Sequence, residues 1–101
     1  MQFENFLGFI EDEDKRLNTY YGMGREKTIL ARTVKLGEEV GELCAEVLAC
    51  GGLQRSGKKN GRLEEELADV IITTFLLARA LDVKMGNALE QKMRKIEKRY
   101  E

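Results

Sequence analysis

The sequence predicts an all-α fold: a four-helix module that packs into an oligomeric helical bundle. Three observations carry this. Apolar residues recur at three- and four-residue spacing along almost the whole chain of 101 residues, the period of one helix face. Proline is absent, so nothing removes a backbone donor inside a helix. Seven of the ten glycines, Gly22, Gly24, Gly51, Gly52, Gly57, Gly61 and Gly86, fall where the apolar period breaks, and those breaks divide the chain into helices. The length allows one domain over residues 1–101, and at this size roughly a third of the unfolded surface stays exposed unless subunits associate.

The first helix is expected near 2–18, with Phe3, Phe6, Leu7, Ile10 and Leu17 inward and the acidic run Glu11 to Asp14 turned outward. The second lies near 26–50 on the stripe Ile29, Leu36, Val40, Leu43 and Val47. Gly37 and Gly41 inside it cost about 1 kcal/mol each against alanine, which close approach of a neighbouring backbone would explain. A basic, glycine-rich loop from Gly51 to Gly61 follows. The third helix, near 62–81, carries Arg79 as its only charge from Val70 onward and is apolar on nearly every side, the pattern of a helix buried all round. That run is shorter than the about 20 residues a bilayer span needs. A four-helix monomer cannot easily surround it, so its surplus apolar surface predicts a homodimer or homotetramer. The fourth helix, near 85–100, turns Leu89, Met93, Ile96 and Tyr100 inward.

Composition removes competing chemistries. With no histidine, His-dependent acid–base catalysis, nucleophile–His triads and His-ligated zinc are excluded. Cys44 and Cys50, about 240° apart on one helix, cannot pair with each other; both read as small core residues of a reduced, cytoplasmic protein. Charged residues make up 35% of the chain yet nearly cancel at net −1, which leaves no overall field for a nucleic-acid polymer or an anionic membrane.

What remains is carboxylate and cation chemistry. Glu39-Val40-Gly41-Glu42 and Glu66-Leu67-Ala68-Asp69 each place two acids one turn apart on a helix face. Glu39, Glu42, Glu66 and Asp69 converging from two helices would hold a hard divalent cation, Mg²⁺ or Mn²⁺ in its place, because such ions prefer oxygen ligands. The plainer account of each pair alone is a solvated face. The loop cations Arg55, Lys58, Lys59 and Arg62 are able to close over phosphates, or belong to a solvated hairpin. Lys92, Lys95 and Arg99 share one face of the last helix, as a solvated edge or as the complement to its C-terminus. Tyr20, Tyr21 and Phe9 offer faces to stack on a base, or belong to the core.

Leu36 to Leu43, Leu63 to Val70, Lys92-Met93 and Arg99-Tyr100 together resemble the MazG-type all-α nucleoside triphosphate pyrophosphohydrolases, over roughly residues 30 to 100. The resemblance implies Mg²⁺ held between E-x-x-E and E-x-x-D, an oligomeric helical module, and hydrolysis of a nucleotide to the monophosphate and pyrophosphate. It often means house-cleaning of noncanonical or surplus deoxynucleotides, which favours a deoxynucleoside triphosphate as substrate. Carried over by residue, Glu39, Glu42, Glu66 and Asp69 become the metal ligands, and Lys92, Lys95 and Arg99 the triphosphate contacts. Many small members have asparagine where this chain has Ile96 and a terminal proline where it has Glu101, so base preference does not carry over. With no histidine, a carboxylate must take the proton from the attacking water, and Glu38 is the expected base. The alternative from another class is a non-catalytic helical module that binds a nucleotide or a protein partner, its acids serving helix formation and solubility.

Overall fold

The computed structural model describes residues 1–51 and 62–101, and these are all-α: α1 (Phe3–Tyr21), α2 (Arg25–Cys50), α3 (Leu63–Ala80) and α4 (Met85–Lys98). The expected loop positions Gly52, Arg55, Gly57, Lys58, Lys59 and Gly61 lie outside the described residues. α1 runs on to Tyr21 rather than stopping near Asn18, because the stop is Gly22. That residue has a left-handed φ of 61° and donates its N–H to the Asn18 carbonyl at 2.9 Å, a backbone state glycine reaches without strain. The end of α3 uses a non-glycine residue for the same purpose. Asp82 sits at φ 58°, and the Val83 N–H reaches back to the Ala78 carbonyl at 2.9 Å, the pattern of a Schellman cap.

The apolar core joins α1 to α3. Ile10, Phe75 and Leu76 are buried together, with Phe6, Leu17, Ile72 and Met85 packed around them. Phe6 meets Phe75 edge-on at 4.8 Å between ring centroids, the favoured geometry for an aromatic pair. α2 packs against α3 through a different kind of surface. Its buried residues are Thr28, Arg32, Glu39 and Ala49, and α3 contributes Glu66 and Thr73. The α2–α3 seam is polar, and that polarity defines the site.

Several expectations are corrected. Val40 and Val47 of the expected α2 stripe are exposed, because α2 turns its Thr28, Arg32 and Glu39 stripe to α3 instead. A Cβ added at Gly37 or Gly41 would meet nothing within 4 Å, so no neighbouring backbone among the described residues explains those glycines. Asp14 is not turned outward: it lies one turn from buried Ile10 and receives Arg32 at 2.7 Å and Arg79 at 3.3 Å. Cys44 and Cys50 are exposed free thiols rather than core residues, and Phe9, Tyr20 and Tyr21 are exposed too. On α3, Leu67 and Ile71 are open to solvent, as is Leu81 just past its end, so burial all round does not hold among the described residues. α4 buries no residue: Met85 touches the core, while Leu89, Met93, Ile96 and Tyr100, expected inward, are exposed.

Candidate metal and phosphate site

One buried hydrogen bond fixes how α2 and α3 face each other. Arg32 Nη1 donates to the Leu76 carbonyl at 2.7 Å, which places residue 32 opposite residue 76. The two helices run antiparallel, so steps of three or four up α2 meet equal steps back along α3, with Lys35 opposite Thr73, Glu39 opposite Asp69 and Glu42 opposite Glu66. The acids of both motifs therefore fall on one stretch of seam. Carboxylate oxygens of Glu39, Glu42 and Glu66 lie within 4.8 Å of one another.

Two of the three acids are buried, with Glu39 6% and Glu66 5% exposed. Among the described residues each keeps one oxygen, Oε2, with no hydrogen-bond partner. A buried carboxylate without a partner is costly, and the two buried acids and exposed Glu42 repel one another. The protein supplies partial relief from the flanks. Lys35 Nζ stands 3.2 Å from Glu39 Oε1, and Arg62 Nη2 stands 3.8 Å from Glu66 Oε1. Burial holds the Glu66 carboxyl above the ordinary carboxylate range; the charge of Glu42 pushes the same way and Arg62 opposes it. The hydrogen bond to Glu39, together with that acid's charge, raises Lys35 above the ordinary lysine value, and Glu38 and Glu42 add to it. Both flanking cations leave the two Oε2 atoms unsatisfied, and these atoms belong to oxygens grouped at a spacing that suits a hard cation. The residues present fit a divalent metal ion.

A family model described as the MazG nucleotide pyrophosphohydrolase domain matches residues 26–101. The chain belongs to this family. No curated protein and no solved structure matches it. The MazG match takes in α2, α3 and α4, and with them both acid motifs, whereas α1 lies outside it.

Within this MazG chain the expected site residues fall into two groups. Glu39, Glu42 and Glu66 are brought together. Asp69 is exposed and stands outside that trio, although its charge still raises Glu66. Glu38 is exposed, with Lys35 Nζ 3.9 Å from its Oε2. Lys92, Lys95 and Arg99 are exposed on and just beyond a helix whose packing against the rest runs through Met85 and Gly86, so the structure does not draw them to the acids. Lys35 and Arg32 were not singled out from the sequence. The signal was present: Thr28, Arg32, Lys35, Glu39 and Glu42 advance by four, three, four and three, a single helical stripe written in polar residues.

Proposed function

We propose that this chain is a divalent-metal-dependent pyrophosphohydrolase that converts a nucleoside triphosphate to the monophosphate and pyrophosphate. The observation that carries the reading is the pair of unpartnered, buried Oε2 atoms of Glu39 and Glu66 beside Glu42. Solubility does not require acids in such positions, and a helix would be better off without them. Glu39, Glu42 and Glu66 hold the ion, with Asp69 as the fourth acid. When bound, Mg²⁺ or Mn²⁺ offsets triphosphate charge and makes a coordinated water easier to deprotonate. The protein's own part is orientation and proton transfer. The α2–α3 register aims the carboxylates at one point, and Glu38, exposed beside them, accepts the proton of the attacking water.

Lys35 and Arg62, already paired with the acids, are the first cations a triphosphate meets. Lys92, Lys95 and Arg99 are a second set, supplied to the phosphates from α4 of the same chain or of another copy in a homodimer or homotetramer. A deoxynucleoside triphosphate is the favoured substrate, and clearance of unwanted nucleotides in the cytoplasm the favoured role. Pyrophosphate release from a panel of ribo- and deoxyribonucleoside triphosphates, in Mg²⁺ and in EDTA, tests this. Mg²⁺-dependent release from at least one member is expected. No release from any member, with the chain folded, leaves the module as a non-catalytic binder.

A further inference from the structure

We infer that Lys35 and Arg62 are exchangeable counter-ions, which hold the buried acids in the metal-free protein and are released to phosphate once an ion takes their place; this rests on the metal site of the proposed reading. Both acid motifs show the same arrangement. Lys35 Nζ stands 3.2 Å from Glu39 Oε1 and Arg62 Nη2 stands 3.8 Å from Glu66 Oε1, each cation four positions before its acid on the same stretch of helix. In both pairs the cation is exposed and the acid buried, and in both the second carboxylate oxygen has no partner among the described residues. The order of charge along the helix separates these pairs from the others. Where described residues pair along a helix away from the site, the acid comes first: Glu11 with Lys15, Glu13 with Arg16, and Glu90 with Arg94. That order agrees with the helix dipole and is the more stabilising one. At the site it is reversed, with Lys35 ahead of Glu38 and Glu39 and Arg62 ahead of Glu66. Arg62 also occupies the N-cap of α3, where the dipole disfavours a cation. Helix stability accounts for neither cation, whereas the buried carboxylates account for both.

Each cation relieves its acid only in part, because it reaches one oxygen from the solvent side and leaves the other bare. A divalent ion among Glu39, Glu42 and Glu66, whose oxygens lie within 4.8 Å of one another, offsets the charge of all three together. Glu39 and Glu66 then lose most of their attraction for Lys35 and Arg62, and the ion's own charge repels both cations. Their side chains are free to leave, being 58% and 56% exposed, so release breaks little packing. Freed beside the acids, one from α2 and one from the start of α3, they present an ammonium and a planar guanidinium fork to a phosphate chain. Metal and phosphate binding are therefore linked through the protein as well as through direct contact. An ion on the acids strengthens phosphate binding by Lys35 and Arg62, and phosphate on these cations strengthens ion binding by the same factor. The metal-free acids are spared full mutual repulsion without being closed to the ion.

NMR of the side-chain ammonium groups in the full chain tests the exchange directly, with the Lys35 signal assigned from Lys35→Arg. In EDTA that ammonium should be protected from exchange with water by its contact with Glu39. Saturating Mg²⁺ should abolish the protection, and inorganic pyrophosphate added to the Mg²⁺-loaded chain should restore it at a new shift. Melting and calorimetry give a second readout. Lys35→Met should melt below wild type in EDTA, and the gap should close in saturating Mg²⁺. By linkage the variant then binds Mg²⁺ more tightly than wild type, by about fivefold or more; Arg62→Met should act in the same direction more weakly, its contact being longer. A salt bridge that served only the helix would lower the melting temperature equally in both media and leave Mg²⁺ affinity unchanged. That result overturns the inference, as does a Lys35 signal that stays protected while Mg²⁺ raises the wild-type melting temperature, or one that pyrophosphate fails to restore. Mg²⁺ without effect on wild-type melting would remove the metal site and the inference together. Failure of the hydrolase reading alone looks different: the exchange is seen, and no nucleoside triphosphate yields pyrophosphate.

Discussion

Glu39 and Glu66 are held where a carboxylate is least comfortable, buried beside a third acid and each with one oxygen unpartnered. A metal-binding protein accepts that cost in the free state because the ion removes it. Glu39→Gln takes away one charge, so the metal-free chain should melt higher in EDTA while Mg²⁺-dependent turnover falls by about a hundredfold or more. A surface acid would show a small loss of stability and unchanged turnover instead. Glu66 adds a pH signature. Its folded carboxyl binds a proton more tightly than the unfolded one, chiefly through burial. As pH rises from the ordinary carboxylate range through that raised value, the unfolded chain releases its proton first, and stability falls. Melting in EDTA from about pH 4 to about pH 8 should therefore show a decline that Glu66→Gln flattens. Saturating Mg²⁺ should remove the decline as well, because the ion competes with the proton.

At the scale of elements, one guanidinium ties three helices together. Arg32 on α2 meets Asp14 of α1 at 2.7 Å and the Leu76 carbonyl of α3 at 2.7 Å, with side-chain exposures of 9% for Arg32 and 13% for Asp14. Arg32→Ala leaves that buried carboxylate without its nearest cation, and should cost roughly 3–5 kcal/mol in urea unfolding. Arg79, 46% exposed and 3.3 Å from the same acid, should cost no more than about 1 kcal/mol when truncated. The helices themselves were legible in the sequence because Gly22, Gly24 and Gly51 interrupt a strong apolar period; Gly86, expected at a break, lies inside α4, and α3 ends at Asp82 instead. The acid motifs were legible because Glu39, Glu42, Glu66 and Asp69 keep one-turn spacing. What escaped was the face of α2 that meets α3. Aliphatic periodicity marked Val40 and Val47, whereas burial went to Thr28, Arg32 and Glu39, and a hydrophobicity pattern is blind to polar residues buried for a site. Asp14 escaped for a related reason. An acid reads as outward until its cation, eighteen positions on in Arg32, is placed beside it.

The described residues form an open arrangement rather than one closed on itself. Its radius of gyration is 16.2 Å, against about 13 Å for a compact domain of this length. α4 lies with its apolar residues Leu89, Met93 and Ile96 exposed, and Ile71 and Val40 add apolar surface on α3 and α2. Surface of this kind on three helices is what an association between copies would cover, and such association would account for an apolar stripe on α4 that nothing among the described residues buries. The wild type should sediment as a dimer or tetramer at micromolar concentration, with a melting temperature that rises with protein concentration. The choice of variant matters. Leu76→Glu would unfold the chain, since Leu76 belongs to the core shared by α1 and α3. Ile71→Glu and Met93→Glu instead alter residues 52% and 59% exposed in the single chain, so each subunit keeps its fold. In an assembly that covers them, each new charge would be buried unpaired at a cost of several kcal/mol, and sedimentation should report a helical monomer. A wild type that stays monomeric, with a melting temperature independent of concentration, would show that α4 keeps its apolar face in water and that the acids work within a single chain.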